Sequence, residues 1–333
     1  MFRLALISLS FLSFGCAKKP GAYVSQSAAS NDALTQADAM WPERGDSTKL
    51  EATLALYEQA HAADPQNKHV LGRLVRGWYF LGDAHKSDKK EKMAAWDKAV
   101  SFGNICLEQN ETYKGTLEQS NNKGEAIQGI ESKDFVPCIY WYASSLGKWA
   151  KANGILQSLK HKPTFVGFMK RVEELQPDYF YAAPHRYWGA YYSVLPGFAG
   201  RDLNKSKEEF DKSLSIAPEY LGTYLLLADN WARNSQNVEE FDQAVQYVMA
   251  SDPSVLPEDL LPENRAELQK AAKLWSDRSS IFVNPPEPQA LKTQPPKAAP
   301  VEEAAPVEAA PAEEAAPAEE AAPAEKAPET PAE

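Results

Sequence analysis

The chain is poor in cysteine and histidine and has no basic surplus: its 333 residues hold three Cys, five His, and 35 Lys and Arg against 46 Asp and Glu. The histidines, His61, His69, His85, His161 and His185, show no ligand spacing, so no metal and no cofactor are expected. A basic face for nucleic acid is missing. Missing too are a Gly-x-Ser-x-Gly elbow, a phosphate-cradling glycine loop and a His-Glu-x-x-His pair, so no catalytic set converges. Glu208-Glu209 and Glu239-Glu240 stand just inside expected helix starts, where the helix dipole favours solvated carboxylates. These absences point to a binding protein rather than an enzyme.

Long apolar runs are scarce as well. The one at the start, residues 4–14 after Arg3, is too short to span a bilayer and ends at Gly15-Cys16. It reads as a lipoprotein signal peptide over residues 1–15, with the Cys16 thiol as the lipidation site and residues 16–30 as a lipidated linker. Two acyl chains anchor stably where one does not. Ser13 stands where leucine is usual in such a box. Ala17 after the modified cysteine is not acidic, which favours the outer over the inner membrane for a protein facing the periplasm. Cys106 and Cys138 fall on consecutive expected helices; in an oxidising compartment they either pair or stay as two buried thiols.

What the sequence has in excess lies at its far end. Residues 284–333 carry 12 of the 24 prolines, and residues 301–333 hold ten Glu against Lys326 alone, so nine of the eleven net negative charges sit there. Such a stretch cannot bury apolar surface, and a disordered tail is expected over 281–333. Fully extended, it would reach on the order of 150 Å. The remainder is nearly neutral.

Between residues 31 and 280 helical periodicity dominates and strand-like alternation is rare, so the expected class is all-α. One spacing recurs: a first residue, then four on, seven on, and a proline twelve on. Thr53, Tyr57, Ala60 and Pro65 fit it, as do Phe165, Met169, Val172 and Pro177. Ser206, Phe210, Ser213 and Pro218 follow, then Phe241, Val245, Val248 and Pro253. Offsets of four and seven share one helical face, and the proline ends the helix at a set distance from it. Companion helices are expected at 71–81, 135–150, 179–194 and 220–232, while a fifth helix of the recurrent kind, at 93–107 with Trp96 and Ala99 in the matching places, lacks the closing proline. Successive prolines lie 41 and 35 residues apart, near the about 34-residue tetratricopeptide unit. The expected architecture is therefore a tetratricopeptide-like helix-turn-helix solenoid, with a helix over 262–277 capping its open end through Leu268 and Leu274.

Aromatic rings crowd two of these helices: Tyr140-Trp141-Tyr142 and Trp149 on one, and Tyr179-Phe180-Tyr181, Tyr187-Trp188 and Tyr191-Tyr192 on the other. Helices apolar around their circumference must be covered on more than one side, by core, ligand or partner. Trp141, Tyr142, Trp188 and Tyr191 are the candidate ligand- or partner-binding rings, and His185 and Arg186 the candidate polar anchors, since arginine offers a carboxylate a two-pronged fork. Pro184 gives that stretch a plainer role near a helix end. In residues 195–202 the glycines permit a tight turn and Asp202 can cap the next helix.

Tyr140-Trp141-Tyr142-Ala143, Leu175-Gln-Pro177 with Tyr181, His185 and Gly189, and then Pro196-Gly197, Gly200, Asp202, Ser206, Phe210 and Pro218-Glu-Tyr220 resemble a known family. The likeness closes with Leu261-Pro-Glu-Asn264-Arg-Ala266 before Ala271 and Leu274. The family is the T component of tripartite ATP-independent periplasmic (TRAP) transporters, helical lipoproteins related to tetratricopeptide proteins. The resemblance implies a membrane-anchored periplasmic scaffold that binds the substrate-binding P component, forms a homotrimer and offers a small organic ligand an apolar passage. The lipid box and the Ala/Pro/Glu tail depart from it. A protein-protein scaffold for envelope assembly, using the same repeat surface, is the alternative function.

Overall fold

Short polar residues start the helices. In the computed structural model, which describes residues 26–295, Asp46, Asn67 and Asp88 each accept backbone N–H bonds at the mouth of a helix: α2 (Ser47–Ala63), α3 (Lys68–Phe80) and α4 (Lys89–Leu107), with α1 (Gln26–Met40) packed on α2. Asn110 and Asn122 do the same for α5 (Glu111–Ser120) and α6 (Lys123–Ala126). Proline in the first turn opens α7 (Val136–Asn153) and, after the short α8 (Ile155–Lys160), α9 (Lys162–Leu175). Next come α10 (Tyr179–Val194), α11 (Leu203–Ile216), capped by Asp202 as expected, and α12 (Leu221–Leu226). The short α13 (Arg233–Ser235), α14 (Val238–Ala250), α15 (Leu261–Ser276) and α16 (Arg278–Ile281) complete the order. The described residues contain helices and no strand.

The recurrent spacing marks buried stripes. Thr53, Tyr57 and Ala60 in α2, Phe165, Met169 and Val172 in α9, Ser206, Phe210 and Ser213 in α11, and Phe241, Val245 and Val248 in α14 are all buried. Neighbours in the chain are neighbours in space from α1 to α4, and again through α7, α9, α10 and α11. Gly189 sets the α10 to α11 distance: a Cβ there would lie 2.7 Å from the buried Phe210 ring, so only hydrogen fits. Cys106 of α4 and Cys138 of α7 are joined by a disulfide.

Three expectations need correction. Helix α15 does more than cap the last pair. Its Glu263 bonds Arg44 and Arg76, its Lys270 bonds Asp83, and Ala266 enters the core of α1 to α3, so α15 spans the inside of the array as a strut. Ordered structure also begins before residue 31, with α1 starting at Gln26. And it outlasts residue 280: Phe282 is buried edge-on against Phe241, Gln243 Nε2 donates to the Ala290 carbonyl, and Lys292 N–H donates to Gln243 Oε1. Proline content hid this anchor, because a buried ring and a few side-chain bonds hold a strap that has no ladder of its own: Gln246 donates to the Gln289 carbonyl, Arg278 donates to the Pro286 carbonyl, and Lys292 pairs with Glu239. The signal peptide, Cys16, most of the linker and the tail from residue 296 lie outside the described residues.

Candidate ligand cavity

Two helices carry a π-type turn, at Leu81–His85 after α3 and at Leu227–Ala232 after α12. Each inserts an extra residue into the helical ladder, a distortion that recurs at functional sites. Both turns face the same space, placing Asp83 from one and Asp229 and Asn230 from the other on its wall. That space is a cavity of about 730 Å³ inside the array, within the roughly 300–1,000 Å³ typical of small-molecule sites.

One wall is aromatic. Tyr79 of α3, Tyr140 and Trp141 of α7, Phe180, Tyr187 and Tyr191 of α10, and Tyr220 line it. The rings brace each other edge to face: Trp141 lies 4.9 Å from Phe180 and 4.7 Å from Tyr140. Burial, with Asp83 and neighbouring tyrosines adding to it, pushes the Tyr79 hydroxyl well above its usual range; burial likewise raises Tyr187 and Tyr220, though Arg186 opposes it at Tyr220. These phenols stay neutral at any physiological pH.

Another part of the lining is the charged face of α15: Glu263, Glu267, Lys270, Lys273 and Asp277, with Leu274 among them. Lys148 and Lys270 each donate at 2.6 Å to Asp83. Burial opposes the charge on Asp83, yet the two lysines outweigh it and hold the carboxyl far below its ordinary range. Glu263 is likewise buried, and Arg76 and Arg44 keep it ionised below the usual value. Removing one partner from such a group leaves a buried charge uncompensated, at a cost of about 3–5 kcal/mol.

Arg186 lines the same cavity. It is 3% exposed, its guanidinium stacks 4.2 Å from the Tyr220 ring, and its two terminal nitrogens donate to the carbonyls of Phe180 and Tyr181. Those carbonyls belong to an unusual stretch. Phe180, Tyr181 and Ala182 all have left-handed backbone, with φ of 46°, 57° and 57°. Non-glycine residues adopt it at about 1–2 kcal/mol each. Tyr181 is further pinned by stacking on Tyr220 and by donating to Asp259 at 2.8 Å. Pro184 then begins the regular part of α10, where its missing N–H does no harm.

The six expected site residues therefore separate. Trp141, Arg186 and Tyr191 line the cavity. Tyr142 does not: it is core, 5.0 Å from Phe168, and its hydroxyl accepts from Lys123. His185 points to the other side of α10, where its Nδ1 lies 2.8 Å from Glu209. Trp188 also faces outward, donating to Glu173 at 2.9 Å beside a second depression that Tyr191 borders too. The reason is the helical period: positions 186, 187, 190 and 191 share one face of α10, and 185, 188, 189 and 192 the other. Sequence reasoning missed Arg76, Asp83, Glu263 and Lys270, whose partners are up to 219 residues away in the chain. The two polar turns in otherwise apolar helices, around Asp83 and Asp229, were the available signal.

The described residues thus form an all-helical array around a cavity lined by aromatic and charged side chains. Over residues 47–282, more than half of the chain, the sequence matches the family described as TRAP transporter T-component, and the protein belongs to that family. No curated protein matches the chain. Among the described residues no helix is long and apolar enough to cross a membrane.

Proposed function

We propose that the protein is the accessory T component of a TRAP-type transporter: a lipoprotein anchored through Cys16, facing the periplasm, that binds the soluble substrate-binding protein and passes a small organic ligand through its cavity. The observation that carries this reading is the aromatic-lined space of about 730 Å³ within the family-matched region. The rim supports partner docking. Ile155 and Val194 line the mouth, and their neighbours Leu156 and Phe198 are 79% and 86% exposed, a concentration of apolar surface suited to a protein contact. The array itself is read as tetratricopeptide-like repeats closed by α15, and a homotrimer fits the family.

The test is recovery of the full-length protein from its native envelope in mild detergent, followed by mass spectrometry of bound proteins and small molecules. A soluble binding protein and a retained organic molecule are expected, with the molecule lost from Ala190→Phe, which puts a ring into the cavity between Arg186 and Tyr191. Recovery with envelope-assembly proteins and an empty cavity would replace this reading with the scaffold alternative.

A further inference from the structure

The charges around the cavity do not cancel. Eight cationic residues line it, Arg76, Lys148, Lys151, Lys162, Arg186, Arg233, Lys270 and Lys273, against five carboxylates. Every one of those carboxylates already has a cation. Asp83 holds Lys148 and Lys270, Glu263 holds Arg76 and Arg44, Glu267 holds Lys270, Asp229 holds Arg233 and Asp277 holds Lys273. Three cations remain with no carboxylate partner among the described residues: Lys151, Lys162 and Arg186. Lys151 is exposed and Lys162 half-buried with its ammonium on the Ala199 carbonyl, so both can be balanced by solvent. Arg186 cannot. It is 3% exposed, its hydrogen bonds go to two neutral carbonyls and its charge rests only on the faces of Tyr220 and Phe180, so three of its five N–H donors have no acceptor and no anion answers the charge.

A buried cation without a counter-ion is costly unless an anion arrives. Beside this one stand Tyr220 and Phe180, whose rings run on to Trp141 as a continuous apolar surface, with Tyr187 elsewhere in the same lining. The two features lie together, and they select one kind of molecule. Resting on the cavity reading above, we infer that Arg186 is the headgroup anchor of the cavity and that the ligand is an amphipathic anion, its acid group on the Arg186 guanidinium and its apolar part along the aromatic wall. A planar fork of N–H donors suits a carboxylate, and the low-polarity surroundings strengthen the contact. A neutral apolar molecule of equal length would satisfy the wall and leave the arginine unpaired.

The experiment compares octanoate with 1-octanol, which share a tail and differ in head, by equilibrium binding to the full chain at neutral pH. Octanoate is expected to bind at least tenfold more tightly. Arg186→Gln should erase that preference while octanol affinity stays within about twofold, and Arg186→Lys should restore part of it; Lys151→Gln and Lys162→Gln should each change it less than threefold. For the wild-type protein, octanoate labelled with carbon-13 at the carboxyl should show an ionised headgroup when bound at pH values where the free acid is mostly protonated. This readout stands even where Arg186→Gln does not fold. Equal binding of the two probes, a preference untouched by Arg186→Gln in a folded protein, or a protonated bound headgroup would overturn the assignment of Arg186 and leave the cavity reading standing. Failure of both probes to bind would overturn the two together.

Discussion

Helix α10 has two faces of similar composition and opposite fate. On its outer face Trp188 donates to Glu173, His185 meets Glu209, and Gly189 lies hard against Phe210, so these groups are satisfied, and the space left there is the smaller depression that Trp188 and Tyr192 border. On its inner face Arg186, Tyr187, Ala190 and Tyr191 border an open space of about 730 Å³. Aromatic content alone does not distinguish a core from a ligand wall. What distinguishes them is whether polar groups on the rings' side of the helix find partners within the protein.

The largest effect expected from breaking this comparison is at the strut. Glu263→Ala leaves Arg44 and Arg76 buried without their carboxylate and should cost about 3–5 kcal/mol in urea unfolding, whereas Glu209→Gln, across the helix, should cost no more than about 1 kcal/mol. Acid acts in the same direction. Asp83 and Glu263 are both held ionised below their ordinary range, burial notwithstanding, by the lysines and arginines they touch. Their contribution is therefore complete above the unfolded carboxyl value of about 4 and is lost as pH falls toward the lower folded values. The thermal midpoint should be level from pH 7 to 5 and fall below about pH 4; a level profile down to pH 3 would show that the strut carries little stability.

Adjacent residues sharpen the contrast. Gly189→Ala forces a methyl into the Phe210 ring and should cost about 1–3 kcal/mol. Ala190→Phe, one position on but facing the cavity, should change stability by less than about 1 kcal/mol. Equal costs at the two sites would mean that the inner face is as tightly packed as the outer.

Much of the fold was legible because it is local. Asp202 caps its helix in the way its residue type requires, and the spacing of four, seven and twelve picked out stripes that are indeed buried. The cavity was legible only in half. Trp141, Arg186 and Tyr191 were found from aromatic density, but density could not separate them from Tyr142, which fills the core between α7 and α9. The charged wall was invisible, since the link from Lys270 to Asp83 spans 187 residues and nothing in either local sequence names the other. Composition also placed the start of the tail early, because proline count does not weigh a single buried ring such as Phe282.

The central claim is that the cavity on the inner face of α10, and not the smaller depression on its outer face, receives the ligand. Titration of the full chain with N-phenyl-1-naphthylamine, a neutral apolar fluorophore, tests it most directly. One site per chain is predicted, lost in Ala190→Phe and kept in Tyr192→Ala on the outer face; binding that survives Ala190→Phe, or that disappears with Tyr192→Ala, would contradict the claim.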